Sequence, residues 1–108
     1  MNHRIRKIAI KKANQSQCRY KVSAIGFNKK GEIIYKAMNL PRFPREGGSK
    51  HAEMEVMLKA GPGLKQILIC RTNDRSEIMP ISPCKTCAEK ARELGVKIIS
   101  IDKEEEIK

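Results

Sequence analysis

The 108-residue sequence predicts an α/β fold in the order helix, strand, strand, helix, strand, helix, strand. Three observations carry this. Apolar residues recur at helical spacing near the N-terminus. Two alternating runs then flank a glycine turn. Finally, two helix-start signals each open a segment of helical length, the second of them closed by a glycine and a short β-branched run.

The elements follow in order. Residues 4–13 place Ile5, Ile8, Ala9 and Lys12 on one helical face, and Asn14-Gln15-Ser16-Gln17 ends the helix. Tyr20 to Phe27 alternates as a strand. Asn28-Lys29-Lys30-Gly31 turns the chain, and Glu32 to Met38 returns as the second strand of a hairpin. Residues 39–48 form an irregular loop containing Pro41, Pro44, Gly47 and Gly48. Ser49 is the expected cap of a helix over 50–60, with Met54, Met57 and Leu58 facing the core and Gly61-Pro62-Gly63 stopping it. Gln66 to Cys70 is a buried-type strand. After a polar loop, Ser82 is expected to cap a helix that Pro83 starts and Gly95 ends. Val96 to Ile101 is the last strand, and 103–108 is read as a solvated tail. The final two strands, joined through a helix, are expected to pair in parallel by a right-handed crossover. No repeat or linker divides the chain, so residues 1–108 are read as one domain.

Composition narrows the function classes. No apolar run approaches the roughly 20 residues needed to span a membrane. The segment Met1 to Lys7 lacks the apolar stretch of a secretory signal, so a cytoplasmic protein is expected. Four cysteines in a reducing compartment point to metal binding or free thiols rather than disulfides. The sequon Asn14-Gln15-Ser16 is then read as chance. The net charge of +11 is uneven: residues 1–50 hold 13 basic and two acidic residues, whereas 51–108 hold ten of each. A basic half attracts phosphates, of one nucleotide or of a strand, and it also suits a plain solvated face.

Two short clusters carry the chemistry: His51-Ala52-Glu53, and Pro83-Cys84-Lys85-Thr86-Cys87. His51, Cys84 and Cys87 make three zinc ligands. Three protein ligands leave the fourth tetrahedral position open, as in a catalytic zinc site. Cys84 and Cys87, three residues apart at a helix start, project to one side. The helix N-terminus is expected to favour their thiolates, and Ala88 and Ala91 continue a small-residue face toward the helix of His51. Cys84 and Cys87 also fit half of a structural zinc site completed by Cys18 and Cys70. Those two lie far apart, belong to no second C-x-x-C, and read better as buried thiols.

The His-Ala-Glu and Pro-Cys-x-x-Cys clusters together resemble the signature of zinc-dependent nucleobase deaminases, and the chain is similar to the cytidine and deoxycytidylate deaminase superfamily. The resemblance implies a three-layer α/β/α core that is short at the C-terminus, because larger members continue with a further strand. It implies Zn²⁺ as cofactor, with His51, Cys84 and Cys87 as ligands and Glu53 as the acid–base group that stays off the metal. Zinc lowers the pKa of its water to about 7. Glu53 takes a proton from that water and returns it to the ring nitrogen and the leaving ammonia. By position, Asn39 corresponds to the residue that contacts the sugar, although Asn also ends strands commonly. The Ala52 N–H and the Ser82 carbonyl correspond to groups that hold the base. Arg42 and Phe43, in the loop Leu40-Pro41-Arg42-Phe43-Pro44-Arg45, resemble the Pro-Arg loop of deoxycytidylate deaminases and suit a phosphate beside a base. They equally suit a proline-stiffened surface loop.

His as the first ligand separates this chain from the small free-cytidine deaminases, which the resemblance gives three cysteines. Lys85-Thr86 between the cysteines departs from the Pro-Met of tRNA adenosine deaminases. Only four aromatic residues are present, and three of them, Tyr20, Phe27 and Tyr35, lie in expected strands. Stacking platforms for successive bases are therefore scarce. The reading is a deaminase converting cytosine to uracil in a nucleotide or nucleoside, in a homo-oligomer. The alternatives are a strand-editing deaminase that binds nucleic acid through residues 1–50, and a non-catalytic zinc-stabilised nucleic-acid-binding module.

Overall fold

The computed structural model describes residues 3–17, 21–41 and 49–101. The chain runs α1 (His3–Asn14), β1 (Lys21–Phe27), β2 (Ile33–Met38), β3 (Leu40–Pro41), β4 (Ser49–Lys50), α2 (Ala52–Lys59), β5 (Gln66–Thr72), β6 (Ile78–Met79), α3 (Lys85–Leu94) and β7 (Lys97–Ser100). The seven expected elements are present. β6 and the two-residue pair β3–β4 are additional, and both are too short to leave a periodic signal.

The main sheet has β5 at its centre. β1 pairs antiparallel with β2 on one side and with β5 on the other, Val22 lying opposite Arg71. The far edge of β5 is shared end to end. β7 runs parallel to Gln66–Ile69, as the helical connection requires, and β6 runs antiparallel to Arg71–Thr72.

Strand alternation sorts the core into two layers. On one face Ala24, Ala37, Ile67 and Ile69 pack against Ala52, Val56 and Met57 of α2 and Cys87 and Ala91 of α3. On the other, Ile25, Phe27, Leu68, Cys70, Ile78 and Ile101 pack against Ala9 of α1, with Ile5 and Ile8 alongside. The result is α1, sheet, then α2 with α3: three layers, as expected. Gly26 lies under α2, where an added Cβ would sit 2.7 Å from Val56 Cγ1 and 2.8 Å from Leu64 Cδ1. Only a bare Cα admits the helix this closely.

Both later helices begin further along than their sequence signals suggest. Ser49 does not cap α2. Ser49–Lys50 is extended and pairs with Leu40–Pro41, and His51 at φ −72°, ψ 136° is the last extended residue before the helix. The later start rotates the buried stripe: Val56 and Met57 face the core, Met54 is only partly buried, and Leu58 is 65 % exposed rather than in the core. Ser82 does not cap α3 and Pro83 does not start it. Cys84 is the cap, because its sulfur accepts the backbone N–H of Cys87 at 3.4 Å and so occupies the place a Ser or Asp oxygen would take. Gly95, at φ 69°, closes that helix as its sequence predicts. Cys70 is fully buried, as expected of a structural thiol. Cys18, Tyr20, Arg42, Phe43, the loop over 42–48 and the tail over 103–108 lie outside the described residues.

Candidate active site

The site forms where two helices begin on the same face of the sheet. His51 stands at the extended end leading into α2, and Cys84 and Cys87 occupy the cap and third helical position of α3. The small buried residues Ala52 and Ala91 belong to the cluster in which the two helices pack.

His51 Nδ1 lies 3.2 Å from Cys84 Sγ and 3.5 Å from Cys87 Sγ. The ligand atoms of all three residues fall within 4.8 Å of one another. A tetrahedral zinc with Zn–S of about 2.3 Å and Zn–N near 2.0 Å would hold N and S about 3.5 Å apart. The three donors thus stand close to the spacing of a zinc sphere. Their electrostatics agree. With no cation, burial pushes the Cys87 thiol well above its ordinary range, and the neighbouring Cys84 and Glu53 push it further. A dication between the sulfurs removes this penalty, since ligating thiols are deprotonated outright. The donor set fits zinc.

Glu53 is two residues past His51 and only 4 % exposed. It is not one of the clustered ligand residues, yet it acts on Cys87 through its charge and lines the same cavity. That cavity, about 310 Å³, is bounded by Val22, Asn39, His51, Ala52, Glu53, Arg71, Ile81, Ser82 and Cys84. It brings together Asn39, Ala52 and Ser82, all singled out from the sequence.

Asn39 follows β2 and is 4 % exposed. Its Oδ1 accepts the N–H of Val22 at 2.9 Å, and Ser16 Oγ shares its hydroxyl proton between Asn39 Oδ1 at 2.6 Å and Asn39 O at 2.8 Å. A backbone N–H can only donate, so the amide oxygen must face Val22 and the NH₂ group must point the other way. Arg71, Val22 and Ile81 were not foreseen. The signal for Arg71 was available: it continues the alternation of Ile67 and Ile69, so it emerges on the face that carries both helices.

The family model for the cytidine and deoxycytidylate deaminase zinc-binding region matches residues 1–102. Among solved structures, the chain is similar to a point-mutant form of cytidine deaminase from Mycobacterium tuberculosis. The TM-score is 0.65 at 17 % identity, covering 94 % of this chain and 86 % of the other. It is similar to cytidine deaminase from Mycobacterium leprae at TM-score 0.63 and 20 % identity, covering 87 % and 82 %. The unmutated Mycobacterium tuberculosis enzyme gives 0.62 at 18 %, covering 90 % and 80 %. No curated protein matches the chain by sequence. The structures share the fold, the family model spans nearly the whole sequence, and the site can hold its metal. The chain therefore belongs to the family of the cytidine and deoxycytidylate deaminase zinc-binding region, with zinc as its cofactor.

Proposed function

We propose that the chain is a hydrolytic deaminase that converts the cytosine base of a nucleotide or nucleoside to uracil and releases ammonia. One observation carries the reading: a buried carboxylate, Glu53, lines a cavity of ligand size with His51 and Cys84, and stays outside the His51, Cys84 and Cys87 cluster whose donor atoms could hold a metal.

His51, Cys84 and Cys87 hold the zinc, which when bound supplies a water acidified enough to attack near neutral pH. Glu53 accepts a proton from the attacking water as its oxygen bonds to C4 of cytosine. It delivers that proton to N3, and the second water proton leaves with the amino group as the C4–N4 bond breaks. Water and the amine are thereby exchanged for carbonyl and ammonia, with Glu53 restored. Its burial keeps other water from competing for this proton. The Ala52 N–H and the Ser82 carbonyl orient the base, and the Asn39 NH₂ group faces the sugar. Arg42 and Phe43 are assigned to the sugar-phosphate side by position in the sequence alone.

The basic half of the sequence supports the strand-editing alternative less well. α1, which carries Arg4, Lys7 and Lys11, covers the sheet face opposite to α2 and α3, so its charges are not arranged around the metal ligands.

The test is turnover by zinc-loaded protein, read by mass spectrometry on cytidine, deoxycytidine, CMP, dCMP, guanine and single-stranded DNA and RNA. Glu53→Ala is expected to keep its zinc and lose about 10²- to 10⁴-fold in rate. Loss of zinc in that variant, or turnover of strands alone, overturns the reading.

A further inference from the structure

α1 covers the sheet face opposite to the metal ligands, and the deamination chemistry uses none of its side chains. Its sequence holds five cations and no carboxylate. Ile5, Ile8 and Ala9 lie against the sheet. Lys7 and Lys11, one turn apart, stand exposed on the solvent side. Arg4 continues their stripe and makes a contact of its own. Lys36, opposite Ile25 in the β1–β2 register, emerges on the same sheet face and is also exposed. No carboxylate among the described residues pairs with Lys7, Lys11 or Lys36. The acidic groups in the turns that end the strands bond locally: Glu32 accepts from Asn28, Asp74 from Lys21 and Glu77 from Asn73.

These charges weaken the helix that bears them. Like charges one turn apart repel, which sets Lys7 against Lys11. Arg4 opposes the positive end of the helix dipole, and the first turn holds no acidic residue to offset it. Solubility does not require so much charge: a net charge of about 2–8 suffices for a small domain, and this chain carries +11. A cationic face kept against helix stability suits a polyanion, and three observations choose among polyanions. A helix that lies in a membrane surface inserts an apolar face, and that of α1 is already against the sheet. Single strands are held by bases stacked on aromatic rings. Among the described residues, Phe27 is buried and Tyr35 packs on the opposite face. An acidic protein is held by buried anchors at the centre of its contact, and the solvent stripe of α1 offers none. A duplex presents its phosphates on the outside, where cations alone bind them without reading bases.

We propose that the α1 face, through Lys7, Lys11 and Lys36, is a second binding surface that holds the phosphate backbone of a nucleic-acid duplex, whatever its sequence and away from the metal site. It anchors the chain and takes no part in deamination, so it does not rest on the deaminase reading.

The experiment follows binding of the zinc-loaded full chain to short fluorescent DNA and RNA duplexes by anisotropy, between about 50 and 200 mM salt. Three phosphate contacts give a slope of log affinity against log salt near −2.7, about a forty-fold loss over that range. The double variant Lys7→Gln with Lys11→Gln is expected to flatten the slope by about two, and Lys36→Gln by about one. Lys7→Arg with Lys11→Arg keeps the wild-type slope. Lys85→Gln with Lys90→Gln removes the same charge from α3 on the other face and is expected to leave the slope unchanged. Relief of the repulsion should let the Lys7, Lys11 double variant melt no lower than wild type, which separates lost binding from lost folding. An equal effect of the α3 pair would overturn the proposal by reducing it to net charge. So would an unchanged slope in the α1 variants, or no duplex binding at the lowest salt. Tighter binding to single strands, or to phosphatidylserine–phosphatidylcholine vesicles, than to duplexes would also overturn it. None of these readouts uses turnover, so a chain that deaminates nothing still tests the surface.

Discussion

Cys84 does two jobs with one sulfur: it accepts the N–H of Cys87 as the cap of α3, and it faces His51 Nδ1 across the metal position. Two substitutions separate these roles. Cys84→Ser keeps a capping oxygen and is expected to weaken zinc retention while leaving the metal-free stability nearly unchanged. Cys84→Ala loses both, and its metal-free form is expected to be less stable by a further 0.5–2 kcal/mol or so; urea titration of the two metal-free variants checks this. Cys87 gives a pH signature. Its folded thiol is held above its ordinary value, chiefly by burial. Above about pH 8.5 the unfolded thiol therefore releases its proton while the folded one keeps it. The folded state then binds more protons, so stability falls as pH rises. The metal-free protein is expected to melt at progressively lower temperature above that pH, and the zinc-loaded protein is not; thermal scans across pH decide. His51, Glu53, Cys84 and Cys87 were legible in the sequence because their chemistry depends on residue type and spacing. Arg71 was not, since an arginine near a strand end is commonplace until alternation is counted from Ile67.

At the scale of elements, the helix starts were the hard part. Ser49 and Ser82 are good caps in isolation, but pairing of Ser49–Lys50 with Leu40–Pro41 keeps the first extended, and the Cys84 sulfur displaces the second. A local propensity worth about 1 kcal/mol is easily overridden by such pairing. The strands were read more accurately, because alternation reports burial on each face and burial is what places them. Only the shortest, β6 and the β3–β4 pair, were missed. The contact between α2 and the sheet is set at Gly26. Gly26→Ala drives a methyl group against Val56 and Leu64 and is expected to cost about 1–3 kcal/mol. A Val56→Ala change in the same chain should return part of that loss. A double-mutant cycle by urea denaturation measures the coupling; strict additivity would mean the helix does not rest on this residue.

For the molecule as a whole, a zinc held by His51, Cys84 and Cys87 would join the start of α2 to α3 across the face of the sheet. Removing it is expected to lower the unfolding free energy by about 4 kcal/mol at free zinc a thousand-fold above its dissociation constant. Paired thermal melts with and without a chelator check this. No helix among the described residues is long and apolar enough to cross a membrane. The exposed Leu58 and Leu94 on α2 and α3 leave room for the homo-oligomer that the sequence reading expects, and light scattering tests it. The three layers were foreseeable from element order, but not how the N-terminal layer reaches round the end of the sheet. Ser16, just past α1, grips Asn39, and Asn14 bonds Thr72 and Ser76. A helix on the remote face thus acts as a buttress for the wall of the cavity that Asn39 lines. A genetic screen for variants that keep their metal yet bind substrate loosely should therefore collect changes at Asn14 and Ser16, in a stretch whose sequence advertises only positive charge.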